Sequence, residues 1–529
     1  MLFNSYEFIL AFLPITLAIF FFIISRYGHE PAIAWLVSAS LIFYAWWNVA
    51  YLALIILSML INYGMGKLLA HHYSKGTVRQ GKILLTIGIM ANLGALGYFK
   101  YANFFVSNVN IIAETSFQLE TIILPLAISF FTFQQIAYLI DAHKGITSEF
   151  KFLHYALFVT FFPQLIAGPI VHHREMLPQF MSKKILRLNA DDLSIGITIF
   201  SIGLFKKAVL ADGIAAYASP VFDAAARGET LTFFEAWGGA LAYTMQLYFD
   251  FSGYSDMAIG AARMFGIKLP LNFHSPYKAT SISEFWRRWH MTLSRFLRDY
   301  VYIPLGGNKK GSCRRYSNMM ITMLLGGLWH GAGWNFVIWG GLHGVYLAVN
   351  HGWRKIRNTL NLTAGRAAPL YKVAAWGLTF FCVVIGWVFF RAADLPSALA
   401  ILEGMSGQNG FAIPNAIAVR TGNFQAFLSD LGVTFYLGGG SQFLFTYLWI
   451  IALLLIALFM PNTQEIMRNF SPSFNKHKSD AGDALQVARI LEKLSTWRPT
   501  RTWGVFIAII SIFGLLSLSS VSEFLYFQF

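Results

Sequence analysis

Apolar residues fall in long blocks along the chain, and the lengths of those blocks set the first expectation. A helix needs about 20 apolar residues to cross a hydrocarbon core of ~30 Å. Charge-poor runs of that order lie near 8–25, 31–48, 49–66, 83–99, 152–171, 373–390, 441–460 and 503–520. Further runs near 123–140, 193–212, 232–264 and 317–349 are interrupted by glycine, polar residues or charges, which predicts broken or re-entrant helices there. The pattern predicts an all-α polytopic membrane protein of about 10–12 spanning helices, with re-entrant or interfacial helices besides. Irregular backbone survives at membrane depth only where protein or a water-filled cavity surrounds it, so chemistry is expected in the interrupted middle.

Composition excludes the soluble alternative. Of 529 residues, 56% are hydrophobic and only 12% charged, about half the charge of an ordinary globular chain. The 40 Lys plus Arg against 25 Asp plus Glu leave a net charge of +15. In a membrane protein such an excess belongs in cytoplasmic loops, so nucleic-acid binding is set aside. With Cys313 and Cys382 as the two cysteines, a disulfide framework or thiolate metal site is not available.

The charged loops give orientation. Lys67, Lys75, Arg79 and Lys82, and later Arg354, Lys355, Arg357, Arg366 and Lys372, occupy acid-free stretches that read as cytoplasmic. The segment 392–440 carries Arg420 against Asp394, Glu403 and Asp430 and reads as external, while 461–502 reads as a cytoplasmic loop. Both termini then fall outside. The run after Glu7 lacks a basic leader region and a clear small-residue cleavage site, so it reads as a retained first helix.

Two stretches hold the strongest chemical candidates. In SISEFWRRWHMTLSRFLRDYVYIPLGGN, 281–308, Glu284, Arg287, Arg288, Arg295, Arg298 and Asp299 oppose an apolar face of Phe285, Trp286, Trp289, Leu293, Phe296 and Leu297. This predicts an amphipathic interfacial helix whose arginines meet anionic lipid headgroups or an anionic substrate. His290, between Trp289 and Met291, is able to change protonation near neutral pH. In LLGGLWHGAGWNFVIWGGLHG, 324–344, His330 lies in an uncharged run beside Trp329, with Asn335 and His343 further on. An ionisable group at membrane depth suggests function, against the plainer reading of a hydrogen bond to a neighbouring helix; for His343 the plainer reading is preferred.

Other polar insertions are ambiguous. Gln246, Asp250, Ser252 and Asp256 line a substrate path or cap helix ends. Pro163 predicts a kink, and Gly168 with Pro169 a turn. Gln134, Gln135 and Asp141 sit beside an aromatic run. Nucleotide-binding loops, HExxH, CxxC and GxSxG patterns do not occur, and His172 with His173 is too little for a zinc site, so no metal is expected. A transporter or export subunit without chemistry stays open, since broken helices and scattered polar groups also describe carriers.

At these residues the chain resembles the membrane-bound O-acyltransferase (MBOAT) family, in its alginate O-acetyltransferase branch. The matching elements are YFKYANF at 98–104, ISFFTFQQIAYLID at 128–141, FFPQLIAGPI at 161–170, QLYFDFSGYSDMAIG at 246–260, EFWRRWHMTLSRFLRDYVYIPLGGN at 284–308 and LLGGLWHGAGWNFVIWGGLHG at 324–344. The resemblance implies a catalytic membrane core over 1–391 with a central tunnel, followed by the external segment 392–440 and C-terminal helices over 441–529. It implies catalysis by His330 with His290 as the polar partner, a position held by His or Asn in different branches. Arg287, Arg288, Arg298, Trp329, Asn335, Gln246 and Asp250 are candidates for binding substrate or donor. The expected donor is acetyl-CoA, used as substrate with no bound cofactor, and its phosphates suit the basic stretch from Arg287 to Arg315. His330, neutral in a low-dielectric tunnel, would take the proton of an attacking hydroxyl, while His290 orients a reactant or polarises the acetyl carbonyl. Membrane lipid, an exported polysaccharide and a periplasmic acetyl-accepting protein are the expected partners, in the bacterial inner membrane. The nearest alternative is D-alanyl transfer to teichoic acid from a carrier-protein thioester.

Overall fold

The computed structural model describes residues 1–120, 122–146, 151–182, 188–360, 368–422, 424–474 and 495–519. Its N-terminal helices are α1 (Glu7–Tyr27), α2 (His29–Ala45), α3 (Ala50–Ser74), α4 (Val78–Ala113) and α5 (Ile128–His143). Short α6 (Phe152–Thr160) and α7 (His173–Phe180) follow, then long α8 (Ala190–Ala226) and α9 (Phe233–Met264). The central elements are α10 (Ile282–Arg288), α11 (Met291–Leu297), α12 (Gly311–His330), α13 (Trp334–Thr359) and α14 (Pro369–Arg391). The chain closes with α15 (Leu395–Met405), α16 (Gly440–Phe459) and α17 (Arg501–Leu516).

Among the described residues six helices, α1, α3, α4, α8, α14 and α16, are long and apolar enough to cross a membrane. They divide by what surrounds them. Only 28% of the apolar window of α3 and 17% of those of α4 and α16 are buried, so Leu57, Ile61, Ile83, Ile87, Leu448 and Leu455 face outward, as lipid-exposed side chains do. The window of α8 is 61% buried. It crosses α9 where glycines remove the side chains: a Cβ on Gly203 would lie 2.6 Å from the Gly253 carbonyl oxygen, and one on Gly260 would lie 2.6 Å from that of Gly196. Small residues of this kind let helix backbones approach closely inside a bilayer.

Three expectations change. The run at 152–171 is not one span: α6 ends at Thr160, a single turn over Phe162–Leu165 contains Pro163, and the chain then extends past Gly168. Proline lacks the N–H needed to continue α6, and every residue from 154 to 173 is buried, so protein packing, not lipid, selects its apolar character. The run at 232–264 is an unbroken helix of 32 residues, and its Asp and Ser residues therefore lie within α9 and cap no ends. The interfacial helix expected over 281–308 is split into α10 and α11 at Trp289 and His290, with Phe285, Trp289, Leu293, Phe296 and Leu297 packed inward.

The segment 392–440 folds onto the core. Asp394 caps α15 by accepting from the Ser397 N–H at 2.9 Å. The Trp237 indole donates to the Met405 carbonyl (2.9 Å), and the Phe233 N–H to that of Gly410 (3.0 Å). Strands β1 (Phe411–Pro414) and β2 (Val433–Tyr436) pair in parallel, Phe411 opposite Val433. The stretch 461–474 also packs inward: Thr463 donates to the Asp256 carboxylate (2.6 Å), and the Phe474 N–H to the Leu269 carbonyl (2.9 Å).

Candidate active site

Three chain breaks meet at one place. α12 ends at His330, α10 and α11 part at His290, and α14 ends beside Phe390. The His330 ring lies among Trp329, Trp339 and Phe390, with centroids 4.9, 5.1 and 5.0 Å away, and 6.3 Å from the ring of His290. Among the described residues the His330 ring makes no hydrogen bond.

His290 is held differently. Its backbone takes φ 42° and ψ 51°, the left-handed region, which costs a non-glycine residue on the order of 1–3 kcal/mol. The Met291 N–H compensates by donating to the Asn272 carbonyl at 2.9 Å. The His290 Nδ1 lies 3.1 Å from Asn272 Oδ1, which also accepts from the Thr292 hydroxyl at 2.9 Å. An amide oxygen can only accept, so Nδ1 carries the proton and Nε2 presents a lone pair. Nε2 is buried and has no hydrogen-bond partner among the described residues. The ring is further packed by Phe251, edge-on at 4.9 Å.

The end of α12 is capped from α4. Lys100 Nζ donates to the carbonyls of Trp329 (2.6 Å) and His330 (3.0 Å), and the Tyr101 hydroxyl to that of Leu328 (2.7 Å). Terminal helix carbonyls have no partner within their own helix, and a cation there also complements the helix dipole. Lys100 was missed as a site residue, although a lysine inside an apolar run is itself a signal. The α12–α13 hairpin is equally tight: a Cβ on Gly327 would lie 2.1 Å from the Phe336 carbonyl oxygen.

The other candidates divide. Trp329 stacks on Phe133 at 5.4 Å beside the histidines, and Asn335 donates to the Ala392 carbonyl at 2.9 Å, tying α13 to the start of the 392–440 segment. His343 is fully buried one turn beyond Trp339 and accepts from the Trp286 indole at 3.3 Å. Arg287 is exposed; Arg288 pairs with Glu284 (2.7 Å) and Arg298 with Asp299 (2.8 Å). Asp250 receives Lys207 at 2.6 Å, and the same ammonium reaches Asp212 at 2.7 Å. Gln246 is buried one turn before Asp250. Asp141, His172 and His173 join Tyr300 in a separate buried cluster, with Tyr300 donating to Asp141 at 3.2 Å.

The described residues form a largely helical chain with six helices long and apolar enough to cross a membrane, and they bury two neighbouring histidines among aromatic rings. A profile of the MBOAT, membrane-bound O-acyltransferase, family matches residues 145–390. The peptidoglycan O-acetyltransferase of Helicobacter pylori is 48% identical over 440 residues, 78% of this chain and 81% of that one. A probable alginate O-acetylase of Pseudomonas putida is 39% identical over 539 residues, covering 100% of both chains. The teichoic acid D-alanyltransferase of Streptococcus thermophilus is 30% identical over 284 residues, 50% of this chain and 68% of that one. The chain belongs to the membrane-bound O-acyltransferase family and is a multi-pass membrane O-acyltransferase.

Proposed function

We propose that this protein moves acetyl from cytoplasmic acetyl-CoA to a hydroxyl of an exported polysaccharide, directly or through a periplasmic acetyl-accepting protein, in the bacterial inner membrane. The observation that carries the reading is the buried pair His290 and His330, 6.3 Å apart between ring centroids. The relatives named for O-acetyl transfer match over 78% and 100% of this chain, against 50% for the D-alanyltransferase, which favours acetyl.

In the reaction the acceptor hydroxyl oxygen bonds to the thioester carbonyl carbon and gives its proton to His330. The carbon–sulfur bond then breaks, and the leaving thiolate takes that proton, so ester and free thiol result without a covalent enzyme intermediate. His290 has its proton committed to Asn272 and a lone pair at Nε2. The attacking hydroxyl's one proton goes to His330, so His290 suits accepting from a second hydroxyl of the acceptor and orienting it. In this tautomer it has no second N–H with which to polarise the acetyl carbonyl, which narrows the two roles open to it from sequence.

Helix lengths give the reaction a depth. α12 starts beside Lys309, Lys310, Arg314 and Arg315 and runs 20 residues to His330, a rise of about 30 Å. With basic loops cytoplasmic, that rise supports a reading in which His330 lies toward the outer face, next to the 392–440 segment, where an exported acceptor would arrive. The acetyl group must then be carried through the protein to meet it. The full-length match supports an alginate-like glycan as acceptor, and peptidoglycan is the second reading because that relative is more identical. Membrane vesicles given radiolabelled acetyl-CoA should transfer label to polymer or protein in a His330-dependent manner. Unchanged transfer by His330→Ala at matched protein amount overturns the assignment. The polymer that loses acetyl esters when the gene is deleted identifies the acceptor.

A further inference from the structure

Away from the histidine pair, His29, Glu30 and His154 bring three ligand atoms within 4.8 Å of one another. Two elements supply them: the first residues of α2, presented at a corner where Gly28 takes φ 88°, and the start of α6. We propose that they form a site for one divalent transition ion of the zinc type, with a fourth position open to water.

The donor set fits such an ion. Two imidazoles and one carboxylate are a recurrent three-ligand set for zinc, with ligand distances of about 2.0–2.2 Å, so the three groups need only converge by small side-chain rotations. His29 is already oriented, because its Nε2 lies 2.5 Å from the Phe180 carbonyl. A carbonyl only accepts, so Nε2 carries the proton and Nδ1 holds the lone pair, the arrangement that outer hydrogen bonds impose on metal-binding histidines. The His154 side chain is 7% exposed, and its Nε2, 3.6 Å from Glu30 Oε1, makes no hydrogen bond among the described residues. A buried imidazole nitrogen aimed at a carboxylate without bonding to it is costly to leave so, and an ion between the two removes that cost.

Entry is from solvent. The Glu30 side chain is 44% exposed, and Lys151, 70% exposed, holds its Oε1 at 2.9 Å. That ammonium occupies the carboxylate and repels a cation, so it competes directly with the metal. Bound metal would pin the start of α2 to α6 and, through His29, to the end of α7.

The test uses the full chain purified in detergent through a histidine-free tag, loaded with zinc, dialysed and assayed for bound zinc, with thermal unfolding in parallel. Wild type should keep one zinc that raises its melting temperature. His154→Gln and His29→Gln should bind at least about tenfold more weakly and lose the thermal shift, while a His71→Gln/His72→Gln control keeps both. Lys151→Ala should bind about threefold to fivefold more tightly, matching removal of an exposed ion pair; misfolding does not mimic a gain of affinity. Equal zinc in wild type and His154→Gln, or unchanged affinity in Lys151→Ala, overturns the proposal.

Discussion

Two regions bury ionisable side chains at membrane depth, and they treat them oppositely. Where α8 meets α9, Lys207 sits between Asp212 and Asp250, and Lys206 pairs with Asp256 at 2.9 Å, which Thr463 also reaches. These charges are matched by opposite charges or hydroxyls. At the histidine pair, aromatic rings supply most of the surroundings, and the buried His290 Nε2 is left without a hydrogen bond among the described residues. Leaving a buried polar group unpaired costs about 1–3 kcal/mol, a cost that a reactant bonded to His290 Nε2 would remove. On the proposed function the first region is architecture and the second is chemistry.

The contrast breaks most sharply at its two centres. His330→Ala should lower acetyl transfer by about 10²–10⁴-fold, the usual contribution of a positioned general base, with folded protein amount and melting temperature unchanged. Lys207→Met should do the reverse: it removes the ammonium shared by Asp212 and Asp250 and costs about 3–5 kcal/mol of stability, read as loss of monodisperse protein, while transfer per folded molecule is retained. A folded Lys207→Met protein without transfer would move the charged cluster into the catalytic machinery.

Smaller changes test the internal logic. Asn272→Ala removes the acceptor that fixes the proton of His290 and should lower transfer about tenfold, one hydrogen bond's worth. Combined with His290→Ala it should cause no further loss, because both act through one ring; full additivity would separate them. The smallest effect belongs to an exposed carboxylate. Asp394→Ala should cost about 1 kcal/mol as a lost helix cap, measured by thermal unfolding. The Asp394 carboxyl is held below the usual carboxylate range by the Ser397 hydroxyl, then by the Ser397 N–H. Its contribution is complete above the ordinary carboxylate value and fades as pH falls through the lowered one, so wild type and Asp394→Ala should converge in acid.

Both histidines were visible in the sequence because ionisable groups in apolar runs stand out one residue at a time. Their surroundings were not. Asn272 reaches His290 only through the left-handed turn between α10 and α11, and Lys207 finds Asp250 only once α8 crosses α9. Both are relations between elements, on which local pattern is silent. The run 152–171 misled for a related reason: burial by protein and exposure to lipid select the same apolar residues, and only the break at Pro163 hinted at which applied. The continuity of α9 was obscured in the same way, since Asp250, Ser252 and Asp256 look like helix breakers until Lys207 and Lys206 are known to face two of them.

The left-handed backbone at His290 bears on which residues evolution can try there. Apart from glycine, the residues that adopt this conformation most readily are Asn, Asp and His. The resemblance to the membrane-bound O-acyltransferases allows His or Asn at this position, and both are in that set. The turn therefore restricts position 290 on its own, and the role proposed for His290 in the reaction would restrict it a second time. A variant library at this position should therefore return Asn as its most tolerated replacement, with folding, before turnover, rejecting the β-branched residues.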